Sequence, residues 1–150
     1  MGVIYKTGDS LDRVCVPTNF RFNILRILTE FIQKYCRKQD ARILDIGCGN
    51  GIYSLYFLSN GATGSYLGID ISEKFIGKDW LRFSSVPGRL RIKFRVLNAA
   101  SLASCVRETF NSCICLVMLE HVKEYQEILP QIYKLMEVGG YTLIIVPSKY

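Results

Sequence analysis

At 150 residues, 49% hydrophobic and 21% charged, the chain has the balance of one folded, soluble domain and excludes a disordered tail. Its longest apolar runs, Cys113 to Leu119 and Tyr141 to Val146, fall far short of the roughly 20 residues that span a bilayer, and residues 1–7 lack the pattern of a signal peptide or a myristoylation site, so a cytoplasmic protein is expected. Nineteen Lys and Arg against thirteen Asp and Glu give +6, which reads first as a solvated basic surface and keeps nucleic acid open as a partner.

From Phe20 the apolar residues Phe20, Ile24, Ile27, Leu28, Phe31, Ile32 and Tyr35 recur at helical spacing after Pro17-Thr18-Asn19, predicting an amphipathic helix that ends near Arg37 to Gln39. Short apolar runs follow at Arg42 to Ile46, Tyr66 to Ile69, Leu90 to Leu97, Ser112 to Leu119 and Tyr141 to Val146, separated mostly by helix-compatible segments. Strands alternating with helices imply a parallel α/β sheet. In Leu90 to Val96 basic residues alternate strictly with apolar ones, the pattern of a strand with one wet face or at a sheet edge. The cysteines (Cys15, Cys36, Cys48, Cys105, Cys113 and Cys115) read as reduced core thiols, because secretion is not indicated and zinc would need close-spaced ligand pairs. No metal is expected from cysteine ligands.

The informative segment is Ile43-Leu44-Asp45-Ile46-Gly47-Cys48-Gly49-Asn50-Gly51, an apolar strand running into glycines at alternate positions ahead of Ile52 to Leu58. Glycine permits a tight turn and lets a ligand lie against the backbone; a strand, a glycine turn and a helix start make a nucleotide-binding corner. Dinucleotide spacing would put the third glycine where Ile52 stands, and no P-loop occurs. Asp45 would suit a cationic ligand such as S-adenosylmethionine, and Asp70, closing Leu67-Gly68-Ile69-Asp70, suits the hydroxyls of a ribose.

With these residues in place the chain resembles class I S-adenosylmethionine-dependent methyltransferases, in particular the broad group acting on small molecules and in quinone biosynthesis. The likeness runs from about Ala41 to Pro147, through Ile43 to Gly51, Gly68 to Ser72, Val96 to Ala100, Phe110 to Val122 and Leu135 to Pro147. It implies a Rossmann-like open parallel sheet of about five strands, order 3-2-1-4-5, with helices on both faces. Residues 1–150 would form one domain, with 1–40 a lid segment and helix and 41–147 the cofactor-binding core.

By position, the resemblance implies that Gly47, Cys48, Gly49 and Gly51 line S-adenosylmethionine with Asp45 near its ammonium, that Asp70 binds the ribose, that Ile71 packs on the adenine, and that Asn98 and Ala99 sit at its amino group. Many relatives have Asp where this chain has Asn98; a neutral acceptor for a charged one costs about 1 kcal/mol. Glu120 and His121 are the candidate catalytic residues, His121 as a base or the pair as part of a divalent-ion site, against a packing role. Trp80, the tyrosines and Phe20 could line an acceptor pocket or serve as core. The family's usual C-terminal antiparallel strand pair is lacking before Tyr150, so a homo-oligomer or a partner subunit could complete the sheet. The activity implied is methyl transfer to a small-molecule acceptor. The alternatives are RNA or protein methylation, drawing on Arg82, Arg89, Arg91, Lys93 and Arg95, and a silent cofactor-binding scaffold.

Overall fold

Each apolar run read from the sequence forms a strand, and each strand sends alternate side chains to opposite faces of a single sheet. The computed structural model describes residues 2–6, 20–76, 89–123 and 125–147. Its elements are β1 (Gly2–Lys6), α1 (Phe20–Phe31), β2 (Arg42–Ile46), α2 (Ile52–Ser59), β3 (Gly64–Asp70), β4 (Leu90–Val96), α3 (Leu102–Cys105), β5 (Phe110–Leu116), α4 (Tyr125–Leu135) and β6 (Met136–Ile145). A π-helical turn, Ile32–Cys36, extends α1 close to the expected end of the helix.

The strand order is β1-β6-β5-β2-β3-β4. β2 to β6 run parallel to one another and follow the 3-2-1-4-5 order expected, counted from β2. The sixth strand was not foreseen. Residues 2–6 pair antiparallel with β6, from Gly2 opposite Ile145 to Lys6 opposite Tyr141. This part of the expected lid segment therefore sits in the sheet, and β1 gives β6 an antiparallel neighbour. The rest of that segment, 7–19, lies outside the described residues, as do Cys15, Trp80 and Arg82.

One face of the sheet packs Ile43, Tyr66, Ile114 and Leu143 under Leu28 and Phe31 of α1 and Phe57 of α2. The other packs Leu44, Ile69, Cys113 and Ile144 against Leu102 of α3 and Ile128 and Ile132 of α4. Helices thus cover both faces, and truncating a fully buried side chain such as Leu28 to Ala would cost about 2–5 kcal/mol. β4 pairs only with β3 among the described residues, so it is the edge its alternation implied.

β6 starts at Met136, ahead of the expected Tyr141, because a bulge interrupts it: Phe110 pairs with Met136, but Ser112 pairs with Tyr141. Gly139 supplies the left-handed φ of +80° that the bulge needs. Arg42 clips this end of the sheet, pairing with the Glu137 carboxylate and donating from Nε to the Thr109 carbonyl at 3.2 Å. Cys36, Cys48, Cys113 and Cys115 are buried free thiols as expected, whereas Cys105 is exposed, since it ends a four-residue surface helix whose buried anchor is Leu102. No described helix is long and apolar enough to cross a membrane.

Candidate functional site

The site lies at the carboxyl ends of β2, β3, β4 and β5, where open α/β sheets take their ligands. β2 ends at Ile46 and the chain enters a loop whose three glycines have φ of +73° (Gly47), +54° (Gly49) and +76° (Gly51). Any other L-residue would lose roughly 1–2 kcal/mol in that conformation. The loop is tied to β3 by its own backbone: the N–H groups of Gly47 and Cys48 both donate to the Ile69 carbonyl, at 2.8 and 2.9 Å.

Asp70 completes the tie. Its Oδ2 accepts the Gly49 N–H at 2.9 Å and its Oδ1 accepts the Ser72 N–H at 2.8 Å, so one carboxylate joins the glycine loop to the turn after β3. A carboxylate offers about four lone-pair sites. The remaining ones fit a pair of sugar hydroxyls.

The glycines differ in what surrounds them. A Cβ on Gly47 would meet Met118 Cγ at 2.4 Å, so that space is already filled by protein. A Cβ on Gly49 would find no atom of the described residues within 4 Å. Gly49 is therefore the open position of the loop, where a ligand can approach the backbone. Gly51 caps α2 and turns the positive end of that helix toward the loop.

Met118 reaches Gly47 from the end of β5 by way of Val117, whose φ of +55° is unusual for a β-branched residue. The Val117 N–H donates to the Ile145 carbonyl at 2.7 Å, which holds this strained corner at the top of the sheet. Sequence reasoning missed both residues. Their only signal was position, directly ahead of Leu119-Glu120-His121.

Asp45 is placed beneath the loop and not at its surface. It is 1% exposed and its Oδ2 accepts a short hydrogen bond from the Tyr66 hydroxyl. Strand alternation explains this, since Asp45 shares the face of β2 that carries Ile43 under α1 and α2. Burial pushes its carboxyl up to about 7, against the Tyr66 hydrogen bond and with the Asp70 charge adding to the rise. Burial likewise holds the Cys48 thiol protonated, with its Sγ directed at the Gly49 carbonyl.

Beyond Asp70, Ile71 (70%), Phe75 and Val96 are exposed apolar residues near the carboxyl ends of β3 and β4; Val96 is the register partner of Asp70 across these strands. Asn98 caps the short 3-10 turn Ala99–Ser101, its Oδ1 accepting the Ala100 N–H at 2.9 Å. A second lone pair stays on that oxygen. Glu120 and His121 lie on another 3-10 turn, anchored by buried Leu119, with the imidazole 75% exposed and its Nε2 3.9 Å from Glu120 Oε1. Sequence reasoning also missed Phe75, whose signal is an apolar residue three positions after Ser72.

The chain is similar in sequence and fold to known proteins. The family model described as a methyltransferase domain matches residues 44–144. A ubiquinone biosynthesis O-methyltransferase from Hydrogenovibrio crunogenus is 31% identical over 121 residues, covering 81% of this chain and 48% of that protein. One from Pseudomonas putida is 32% identical over 99 residues, covering 66% and 41%. The chain thus spans about half the length, or less, of these relatives. Among solved structures, a magnesium protoporphyrin IX methyltransferase from Synechocystis, crystallised with bound S-adenosylmethionine, superposes with a TM-score of 0.61 at 21% identity, over 83% of this chain and 62% of that one.

Proposed function

This chain belongs to the class I S-adenosylmethionine-dependent methyltransferase family, and from that premise we propose that it binds S-adenosylmethionine in the cleft above Gly49 and transfers its methyl group to a small-molecule acceptor. The observation that carries the reading is the pairing of an open, left-handed Gly49 with the Asp70 carboxylate that accepts its N–H. The sequence relatives, ubiquinone biosynthesis O-methyltransferases, support a small acceptor.

Asp70 would hold the ribose hydroxyls on its free lone pairs, Ile71, Phe75 and Val96 would take the adenine, and Asn98 would accept from its amino group. Gly47, Cys48 and Gly51 would shape the loop, Ala99 would stand with Asn98 at the adenine, and Asp45 would brace the loop from below through Tyr66. When bound, S-adenosylmethionine supplies a methyl group on a cationic sulfur, already activated toward an in-line nucleophile.

Alignment then contributes most of the catalysis, roughly 7–11 kcal/mol against roughly 3–5 kcal/mol for a general base. His121, with Glu120 beside it, would receive the proton that an acceptor hydroxyl gives up. The protein would act in the cytoplasm. Incubation with methyl-labelled S-adenosylmethionine and a panel of phenolic and carboxylic acceptors tests this: transfer of label supports it, and tight cofactor binding without transfer to any acceptor supports the silent scaffold.

A further inference from the structure

The edge strand carries a feature that methyl transfer does not use. Arg89, Arg91, Lys93 and Arg95 are all exposed, and their alternate spacing puts them on one face, while Ile92 and Phe94 between them turn to the core. The backbone beneath them is fixed, since the Gly64 N–H donates to the Arg89 carbonyl at 3.0 Å and β4 is paired with β3 along its length. A strand rises about 3.3 Å per residue, so the four cations stand roughly 6.6 Å apart along a line of about 20 Å.

Among the described residues no carboxylate neutralises the row. Across the ladder, Arg91, Lys93 and Arg95 face Ser65, Leu67 and Ile69, none of them acidic. Among the described residues none of the four makes an ion pair with a carboxylate. Discouraging edge-to-edge pairing accounts for one or two of these charges, but not for an unbroken row ending at Arg95, beside Val96.

We propose that this row is a docking surface for the phosphate backbone of a single-stranded nucleic acid. Regular, separate charges on a rigid line match a polyanion whose phosphates repeat at comparable spacing. A membrane surface is a poorer match, because the intervening apolar side chains face the core and leave none to insert. The partner is held by charge, so binding is sensitive to salt and tolerant of sequence.

The test uses the full chain and a fluorescent single-stranded RNA of about 20 nucleotides, longer than a typical single-strand site, followed by anisotropy between roughly 50 and 200 mM salt. With about −0.7 per phosphate on a single strand, four contacts predict a log–log slope near −3. Combining Arg91→Gln, Lys93→Gln and Arg95→Gln is expected to weaken binding by about tenfold or more and flatten the slope by about 2. Removing the same charge elsewhere, through Lys38→Gln, Lys123→Gln and Lys134→Gln, should change affinity less than about twofold. Unchanged S-adenosylmethionine binding in the first triple variant verifies its fold and separates this proposal from the methyltransferase reading. No RNA binding at low salt, equal losses in both triple variants, or binding to phosphatidylserine vesicles and not to RNA would each overturn it.

Discussion

Met118 occupies the space that a side chain on Gly47 would need: a Cβ there would stand 2.4 Å from Met118 Cγ and 2.8 Å from its Cβ. Gly47→Ala adds overpacking of about 1–3 kcal/mol to about 1–2 kcal/mol for a left-handed non-glycine residue. Met118→Ala in the same chain removes the Cγ contact but keeps the Met118 Cβ, so it should recover a part of the overpacking and none of the backbone cost. Urea denaturation of the single and double variants would measure this, and the double variant should lose clearly less than the sum of the two single losses.

Asp70→Asn should affect both fold and ligand. An amide has one acceptor oxygen where the carboxylate has two, so either the Gly49 or the Ser72 N–H loses its partner. A destabilisation of about 1–2 kcal/mol is expected. S-adenosylmethionine affinity should fall about tenfold or more, as the charge-assisted bonds to the ribose are lost. Calorimetry measures the second effect and thermal denaturation the first.

The buried Asp45 carboxyl makes stability depend on pH. Its folded value, near 7, lies above the roughly 3.9 of an unfolded aspartate, so between those values the native chain holds a proton that the unfolded chain has released. Its contribution is therefore full below about pH 4 and is lost as pH rises through about 7. Denaturation midpoints at about pH 5 and about pH 8 should show the native protein weaker at the higher value. Asp45→Asn should remove most of that difference.

His121→Ala should leave S-adenosylmethionine affinity unchanged, because the imidazole is exposed on a turn that backbone bonds and Leu119 already hold. If His121 takes the acceptor proton, turnover falls by about 10²-fold or more. Steady-state kinetics with the acceptor saturating would separate this from a packing role, which would move stability and spare kcat.

Much of this architecture is legible in the residues. The run Arg42 to Ile46 ends at a glycine and is a strand with those same bounds, and the alternation in Leu90 to Val96 marks an edge. What was not legible depends on contacts distant in sequence. β1 is five residues of weak pattern whose partner, β6, lies more than a hundred positions away, and the apolar run of β6 begins only at Tyr141, although the strand starts at Met136 ahead of its bulge. The site divided in the same way. Gly49 and Asp70, each singled out in the sequence, stand together through a backbone-to-carboxylate hydrogen bond that the sequence did not indicate. Neither the burial of Asp45 under the loop nor the insertion of Met118 beneath Gly47 leaves a local mark, because each follows from how neighbouring strands are registered.

The most direct test of the central claim is calorimetric titration of the protein and its Gly49→Arg variant with S-adenosylmethionine, S-adenosylhomocysteine and NAD. A Cβ at Gly49 meets no described atom within 4 Å, so the arginine side chain leaves the loop into the open position, at the roughly 1–2 kcal/mol of a left-handed non-glycine residue. The account predicts micromolar binding of the first two ligands and none of NAD by the native chain, with no binding at all by the variant. Undiminished binding by Gly49→Arg would contradict it.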